Sequence, residues 1–190
     1  MGTLKTTNIQ SISGSGTVTL GVAGETFTVT NGIMSGQNYP AFHARLSADQ
    51  SLATATNSTV QCNQEAFDLG SCYNNTSGAV TLNGISVPAY SFLPNLAGKY
   101  YVYGFVRSNT SATAAIYYAL IQKNGSTNEF IEISDFTQYN SHRCGGLIEF
   151  NGTSDYITLL AYQNSGGSIT LQGYSGLDEA CNFGAFRIGA

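Results

Sequence analysis

The sequence predicts an all-β protein, a sandwich or jelly roll, on three observations. Short apolar or alternating segments recur along the chain, and Gly, Asn and Ser turns separate them. No window carries the 3.6-residue apolar spacing of an amphipathic helix. One segment, 99–107, is apolar or amphipathic on both faces: Tyr100, Val102 and Val106 fall on one, and Tyr101, Tyr103 and Phe105 on the other. Such a strand is covered on both sides, by its partner sheet and by a further sheet or subunit.

Taken in order, the elements begin with a distinct N-terminal segment. Residues 1–36 hold three short β-like pieces, 8–12, 17–20 and 25–30, separated by Gly and Ser. Pieces that short bury no core alone, so they are expected to pair with the main domain or with the same segment of other subunits. Residues 37–190 form the main domain. Its first strand is expected at 41–46 and a short second one at 59–62. Asn83-Gly84 between 80–82 and 85–87 is the strongest hairpin signal in the chain. Pro94 and Gly98 punctuate the turn into strand 99–107. Further strands are expected at 116–121, 129–133, 147–150, 156–162, 169–171 and 183–188, with Lys123-Asn124-Gly125-Ser126 turning the first of these into the second.

Composition removes several functions. Only 9% of the 190 residues are charged, and the formal net charge is −4. No Lys/Arg cluster is present to neutralise phosphates, so a nucleic-acid partner is not expected. No apolar run approaches the ~20 residues of a membrane-spanning helix, and no apolar segment of signal-peptide type follows Met1. The surface must draw its polarity from Ser, Thr, Asn, Gln and Gly, as extracellular and virion surfaces commonly do. The four cysteines, Cys62, Cys72, Cys144 and Cys181, lack the CxxC spacing of a zinc site. Two readings stay open: disulfides, with Cys62 and Cys72 closing a short loop and Cys144 left with Cys181, or four free thiols in a reducing compartment.

Five segments in order carry a resemblance. Pro40-Ala41-Phe42-His43-Ala44-Arg45-Leu46, Phe67-Asp68-Leu69-Gly70-Ser71-Cys72-Tyr73-Asn74, Phe92-Leu93-Pro94-Asn95-Leu96-Ala97-Gly98-Lys99-Tyr100-Tyr101, Lys123-Asn124-Gly125-Ser126 and Cys181-Asn182-Phe183-Gly184-Ala185-Phe186-Arg187-Ile188 together resemble the globular domain of the C1q/TNF-like family over residues 39–190. The resemblance implies a jelly-roll sandwich of about ten strands that assembles as a homotrimer. It implies that the 99–107 strand and the closing strand run through the core and towards a threefold axis, with Phe42, Tyr100, Tyr101, Tyr103, Phe105, Phe183 and Phe186 as core and trimer residues. The chain departs from the pattern in its added hairpin at 80–87, in Asp155-Tyr156 where the family has Gly-Asp, and in having no Gly-X-Y stalk ahead of the domain. The opening, Gly2-Thr3-Leu4-Lys5-Thr6-Thr7-Asn8-Ile9-Gln10-Ser11 and then Gly16-Thr17-Val18-Thr19-Leu20-Gly21, is similar to the opening of tailed-bacteriophage structural and fibre proteins.

The sequence offers no catalytic constellation. His43 sits between Phe42 and Ala44 in the first strand and reads as a packed or interface residue. His142-Arg143-Cys144 would suit a thiol activated by cations, but reads first as a loop-to-strand transition. The acids are scattered and form no pair with a defined role. The resemblance implies one metal option, calcium held by loop oxygens near the top of a trimer, for which Asp155, Asp178 and Glu179 lie in suitable loops; calcium takes six to eight oxygens, and one chain does not supply that set. The sequons at Asn57, Asn75, Asn109 and Asn151 are those expected by chance in an Asn/Ser/Thr-rich chain. Tyr73, Tyr139 and Tyr174 are expected to be exposed and suited to stacking on sugars.

The expected function is therefore non-enzymatic: a trimeric fibre, knob or capsid-decoration protein of a tailed phage. Residues 1–36 would join it to other virion proteins, and the head would be free to meet a host-surface glycan or protein. The alternative is a secreted C1q-like recognition module that binds protein or glycan outside the cell.

Overall fold

The computed structural model describes residues 39–108, 114–136, 141–174, 176 and 181–189, with 114, 115 and 132–136 as backbone. The segment expected at 1–36 lies outside the described residues. The described chain is built from fourteen strands: β1 (Ala41–Arg45), β2 (Gln50–Leu52), β3 (Ser58–Thr59), β4 (Gln64–Leu69), β5 (Val80–Leu82), β6 (Ile85–Val87), β7 (Ser91–Phe92), β8 (Gly98–Arg107), β9 (Ala114–Lys123), β10 (Thr127–Phe136), β11 (Ser141–Phe150), β12 (Ile157–Gln163), β13 (Ile169–Leu171) and β14 (Asn182–Gly189). All named pairings are antiparallel.

Two main sheets result. The first has the order β11-β8-β14-β1-β4, and the second β10-β9-β12-β3 with β7 added beside β12. Two short sheets, β13-β2 and β5-β6, complete the set. In the first sheet the closing strand β14 lies between β8 and β1, so the ends of the domain meet in its middle. That non-local order is the signature of a jelly roll rather than of a meander of hairpins.

The core is aromatic. Phe42 stacks on Tyr73 at 4.4 Å between ring centroids and on Phe92 at 4.6 Å, and meets the edge of Phe183 at 5.0 Å. Tyr100 packs edge-on against Phe150 at 5.1 Å. Rings in offset and edge-to-face contact bury large apolar area with favourable quadrupole alignment. The two tyrosines enter this core because their phenols find partners: Tyr73 donates to the Cys62 carbonyl at 2.8 Å and Tyr100 to the Leu96 carbonyl at 2.8 Å. From the second sheet β12 contributes Ile157, Leu159 and Ala161, all fully buried. Leu159 lies directly over Gly104, where any Cβ would collide with its methyl group. Glycine at that point of β8 is what lets the two sheets approach.

Buried amides tie down the loops. Gln50 donates to the Thr59 carbonyl and accepts from the Gln61 N–H, which joins β2 to β3. Gln163 donates to the Leu52 and Gly167 carbonyls and accepts from the Ser165 N–H. Asn74 donates to the carbonyls of Gly78 and Pro88, both at 2.8 Å, and accepts from the Thr76 N–H and hydroxyl. Those two carbonyls flank the β5-β6 hairpin, whose Asn83-Gly84 turn has positive φ at both positions, 50° and 82°, as a type I′ turn requires. Asn74→Ala is expected to cost about 2 kcal/mol or more, because it strips several partners from one buried group. Amide exchange across residues 80–87 should quicken with the drop in melting temperature; unchanged exchange there would remove Asn74 as the hairpin's anchor.

Several sequence expectations are corrected. β11 begins at Ser141, so His142-Arg143-Cys144 lies within the first half of a strand and is not a loop-to-strand transition. The second short strand is Ser58–Thr59 and not 59–62. Of the two readings left open for the cysteines, the structure has the free thiols: Cys62, Cys72, Cys144 and Cys181 are all free and buried. Cys72 Sγ lies 3.2 Å from the Gly70 carbonyl, and Cys62 Sγ lies 4.0 Å from the carbonyl of Cys181, so each is committed elsewhere than to the partner proposed for it.

Candidate functional site

β8 shows how one strand serves two surfaces. Tyr100 is fully buried, whereas its neighbour Tyr101 is 41% exposed. The residues on Tyr101's side form the outer face of the first sheet, and the registers align them into rows. Leu69, Ala41, Phe186, Tyr101 and Leu147 stand side by side across the five strands. The next row is Phe67, His43, Gly184, Tyr103 and Gly145. The third sets Arg45, Asn182, Phe105 and Arg143 together.

Among the described residues, Leu147, Leu69, Phe67, Tyr101 and Ile188 on this face and its end are 41–59% exposed. Contiguous exposed apolar surface of this kind marks an interaction site. The rings are also ordered among themselves. Tyr101 packs on Phe186 at 5.7 Å and on Tyr103 at 6.4 Å. Tyr103 leans across Gly184, where a Cβ would overlap the phenol ring, and its hydroxyl meets His43 Nδ1 at 2.9 Å. At the third row the character changes. The Arg143 guanidinium lies 4.6 Å over the Phe105 ring, and Arg45 lies 4.7 Å over Tyr174. The face is thus apolar over two rows and cationic at one end.

His43 is the titratable group inside the apolar part. Burial first, and the Arg45 charge second, push its imidazole below the ordinary 6.5. The unfolded chain then takes up a proton more readily than the folded one, so stability is full above pH 6.5 and falls as pH drops towards the folded value. The melting temperature should fall between pH 7 and pH 5, and His43→Gln should flatten part of that fall. An identical pH profile for the variant would rule out His43 as a source.

The structure separates the residues expected at core and trimer surface. Phe42, Tyr100 and Phe183 belong to the core, while Tyr101, Tyr103, Phe105 and Phe186 lie on the outer face. Phe105 is nearly covered there by Arg143. Tyr73, expected to be exposed, is buried against Phe42; its long apolar ring and satisfied phenol suit the interior. Tyr174 is half-buried under Arg45, and Tyr139 lies outside the described residues. His142 is buried with its ring edge-on to Tyr117 at 4.6 Å. Burial also pushes the thiols of Cys62 and Cys72 upward and that of Cys181 to about 11, which is the opposite of an activated thiolate.

Of the calcium set, Asp178 and Glu179 lie outside the described residues. Asp155 is engaged by protein donors: Asn124 Nδ2 at 2.9 Å, the Asn151 N–H at 3.0 Å and Lys123 Nζ at 3.0 Å. Burial works to raise its pKa, and these hydrogen bonds with the Lys123 charge outweigh it, so the net value is lowered. The same loop uses Asn151 Oδ1 to accept from the N–H groups of Thr153, Ser154 and Asp155. Asp155 therefore braces the β11–β12 loop. Among the described residues no three His, Cys, Asp or Glu side chains are grouped to hold a metal ion. Asn57 accepts from the Tyr118 hydroxyl at 2.7 Å, Asn75 is exposed, and Asn109 lies outside the described residues.

Sequence reasoning missed Phe67, Leu69, Leu147, Arg45 and Arg143 as members of one surface. Each comes from a different stretch of chain, and only the strand order unites them. The pattern Gly145-Gly146-Leu147 concealed the β11 contribution, because paired glycines argue against a strand interior.

No protein-family model matches the chain, and no curated protein matches its sequence. Solved structures do match its fold. Murine APRIL at pH 5.0 aligns with a TM-score of 0.51 at 14% identity, covering 77% of this chain and 97% of that one. The vertex protein P5 of PRD1 aligns at 0.52 and 15% identity, covering 81% and 100%. The globular domain of zebrafish complement 1qA aligns at 0.47 and 13%, covering 78% and 97%. At such identities the likeness concerns fold alone. The described residues from Tyr39 onward form an all-β structure with the TNF/C1q-like jelly-roll fold.

Proposed function

We propose that this chain is a non-enzymatic structural protein of a virion: a trimeric fibre, knob or capsid-decoration protein of a tailed phage. The outer face of the β11-β8-β14-β1-β4 sheet is its self-association surface. The observation that carries the reading is that face, where Leu147 of β11, Tyr101 of β8 and Phe67 and Leu69 of β4 stand exposed on rows aligned across the sheet, with Phe186 of β14 partly exposed between them. A second copy is the natural cover, since a closed ring of like subunits removes such a patch from water on every member. A likeness in fold to a phage vertex protein, over the whole of that chain, supports the virion setting. So does the opening of the sequence, similar to that of tailed-phage structural proteins. The acids and thiols of the described residues support a role without chemistry: Asp68 caps the Cys72 and Tyr73 N–H groups, Asp155 braces a loop, and the cysteines are buried.

The test is to purify particles from an infected culture by density gradient and identify their proteins by mass spectrometry. This chain should band with the particles at a fixed copy ratio. Its recovery only as free secreted protein would overturn the virion reading and favour the recognition module.

A further inference from the structure

His43 lies in the second row of the outer face, between Phe67 of β4 and, across Gly184, Tyr103 of β8. Its ring stands 6.2 Å from the Phe67 ring and 5.9 Å from that of Tyr103, and its Nδ1 meets the Tyr103 hydroxyl at 2.9 Å. The side chain is half-buried in the single subunit. Burial pushes the Tyr103 phenol upward, so it keeps its proton at neutral pH. A neutral imidazole accepts from that phenol at Nδ1. A protonated imidazole carries a hydrogen there, and the phenol must turn its own hydrogen away.

The groups around His43 do not favour its proton. Arg45, two residues along β1 on the same face, repels it. On the neighbouring strands β4 sets Phe67 against it, β14 sets Gly184, and β8 sets Tyr103 beyond. Glu65 and Asp68 of β4 pair with Ala44 and Phe42, whose side chains enter the core, so these acids belong to the other side of the sheet. The second histidine, His142, is buried inside the sandwich edge-on to Tyr117. In the single subunit an imidazolium at His43 still reaches water on its open side. Beneath apolar rows of a second copy it loses that water, and desolvation disfavours the charged form.

We propose that acid disassembles this protein: proton uptake by His43 on each copy opens the self-association face. The inference rests on the self-association reading of that face and adds its control by pH. The imidazole already lies below the ordinary 6.5 in the subunit, and cover pushes it lower still. A value depressed by assembly means that association is full above the subunit's value and is lost as pH falls towards the covered one. A closed ring of three copies covers three imidazoles, so its dissociation takes up three protons. Between the two values the dissociation constant should rise by up to about 10³-fold for each pH unit.

Sedimentation of the full chain at pH 7.5 and pH 5.0 tests it, with near-ultraviolet dichroism at each pH to follow folding. The expected result is a three-chain species at pH 7.5 and single folded chains at pH 5.0. Return to pH 7.5 should restore the three-chain mass. His43→Gln, which cannot titrate, should keep the three-chain species at both pH values. His43→Phe, a flat ring without a titrating group, reads the same question where the amide does not pack. A parent assembly that keeps its mass at pH 5.0 overturns the proposal and leaves the assembly reading intact. So do variants that dissociate in acid as the parent does. A parent that sediments as one chain at pH 7.5 overturns the assembly reading, and this proposal with it.

Discussion

Phe183→Asp is expected to leave no folded protein. Phe183 is completely buried, with Phe42 at 5.0 Å and Tyr73 at 6.2 Å around its ring. Removing a core phenylalanine side chain costs about 3–5 kcal/mol. An unpaired carboxylate in the same place adds several more, or forces its own protonation. The sum is comparable to the whole stability of a domain, about 5–15 kcal/mol. The variant should be recovered in aggregates, or show no cooperative melt and no near-ultraviolet dichroism. Phe183→Leu, which keeps most of the apolar volume, should fold with a lower melting temperature. A cooperative transition in Phe183→Asp at the parent temperature would refute the placement of β14 in the core.

Tyr101→Asp should have the opposite phenotype, a folded chain that does not assemble. The side chain stands on the outer face between Phe186 and Leu147 and takes no part in the sandwich interior. A charge there has water available in the single subunit but not beneath a second copy. Loss of a central aromatic contact together with burial of a charge should weaken association by on the order of 10³-fold. Circular dichroism should remain that of a β protein while the sedimenting mass falls. A variant that still assembles at the parent concentration would move the interface elsewhere.

These paired outcomes follow from two neighbouring strands, β14 and β8, and β8 was legible from the sequence. The run from Tyr100 to Arg107 has no polar face, and its alternation assigned Tyr100 and Val102 to one side and Tyr101 and Tyr103 to the other, as observed. The β5-β6 hairpin was equally legible, because Asn-Gly fits positive φ and the flanking residues alternate. β13 was found at its observed limits, Ile169–Leu171. Local chemistry decides such elements.

Other elements depend on partners distant in sequence. The first half of β11 holds His142, Arg143, Cys144 and two glycines, a poor strand by propensity. It is a strand because β8 offers it a ladder from Gly98 to Arg107. Gln50–Leu52 has no pattern to reveal it and exists by pairing with β13. The outer face was only half legible for the same reason. Its β8 and β14 aromatics could be picked out, but Phe67, Leu69 and Leu147 join them through registers that no single stretch encodes. Tyr73 shows the limit of reading polarity alone. A phenol looks like a surface group until a carbonyl, here that of Cys62, accepts its hydrogen bond inside the core.

The claim on which the functional reading depends is that the exposed rows of the first sheet are covered by other copies of this chain. Sedimentation equilibrium of the full-length protein at micromolar concentration tests it most directly. The account predicts a single species of three times the 20.1 kDa chain mass, reduced to one chain by Tyr101→Asp. A parent protein that sediments as one chain at that concentration would contradict it.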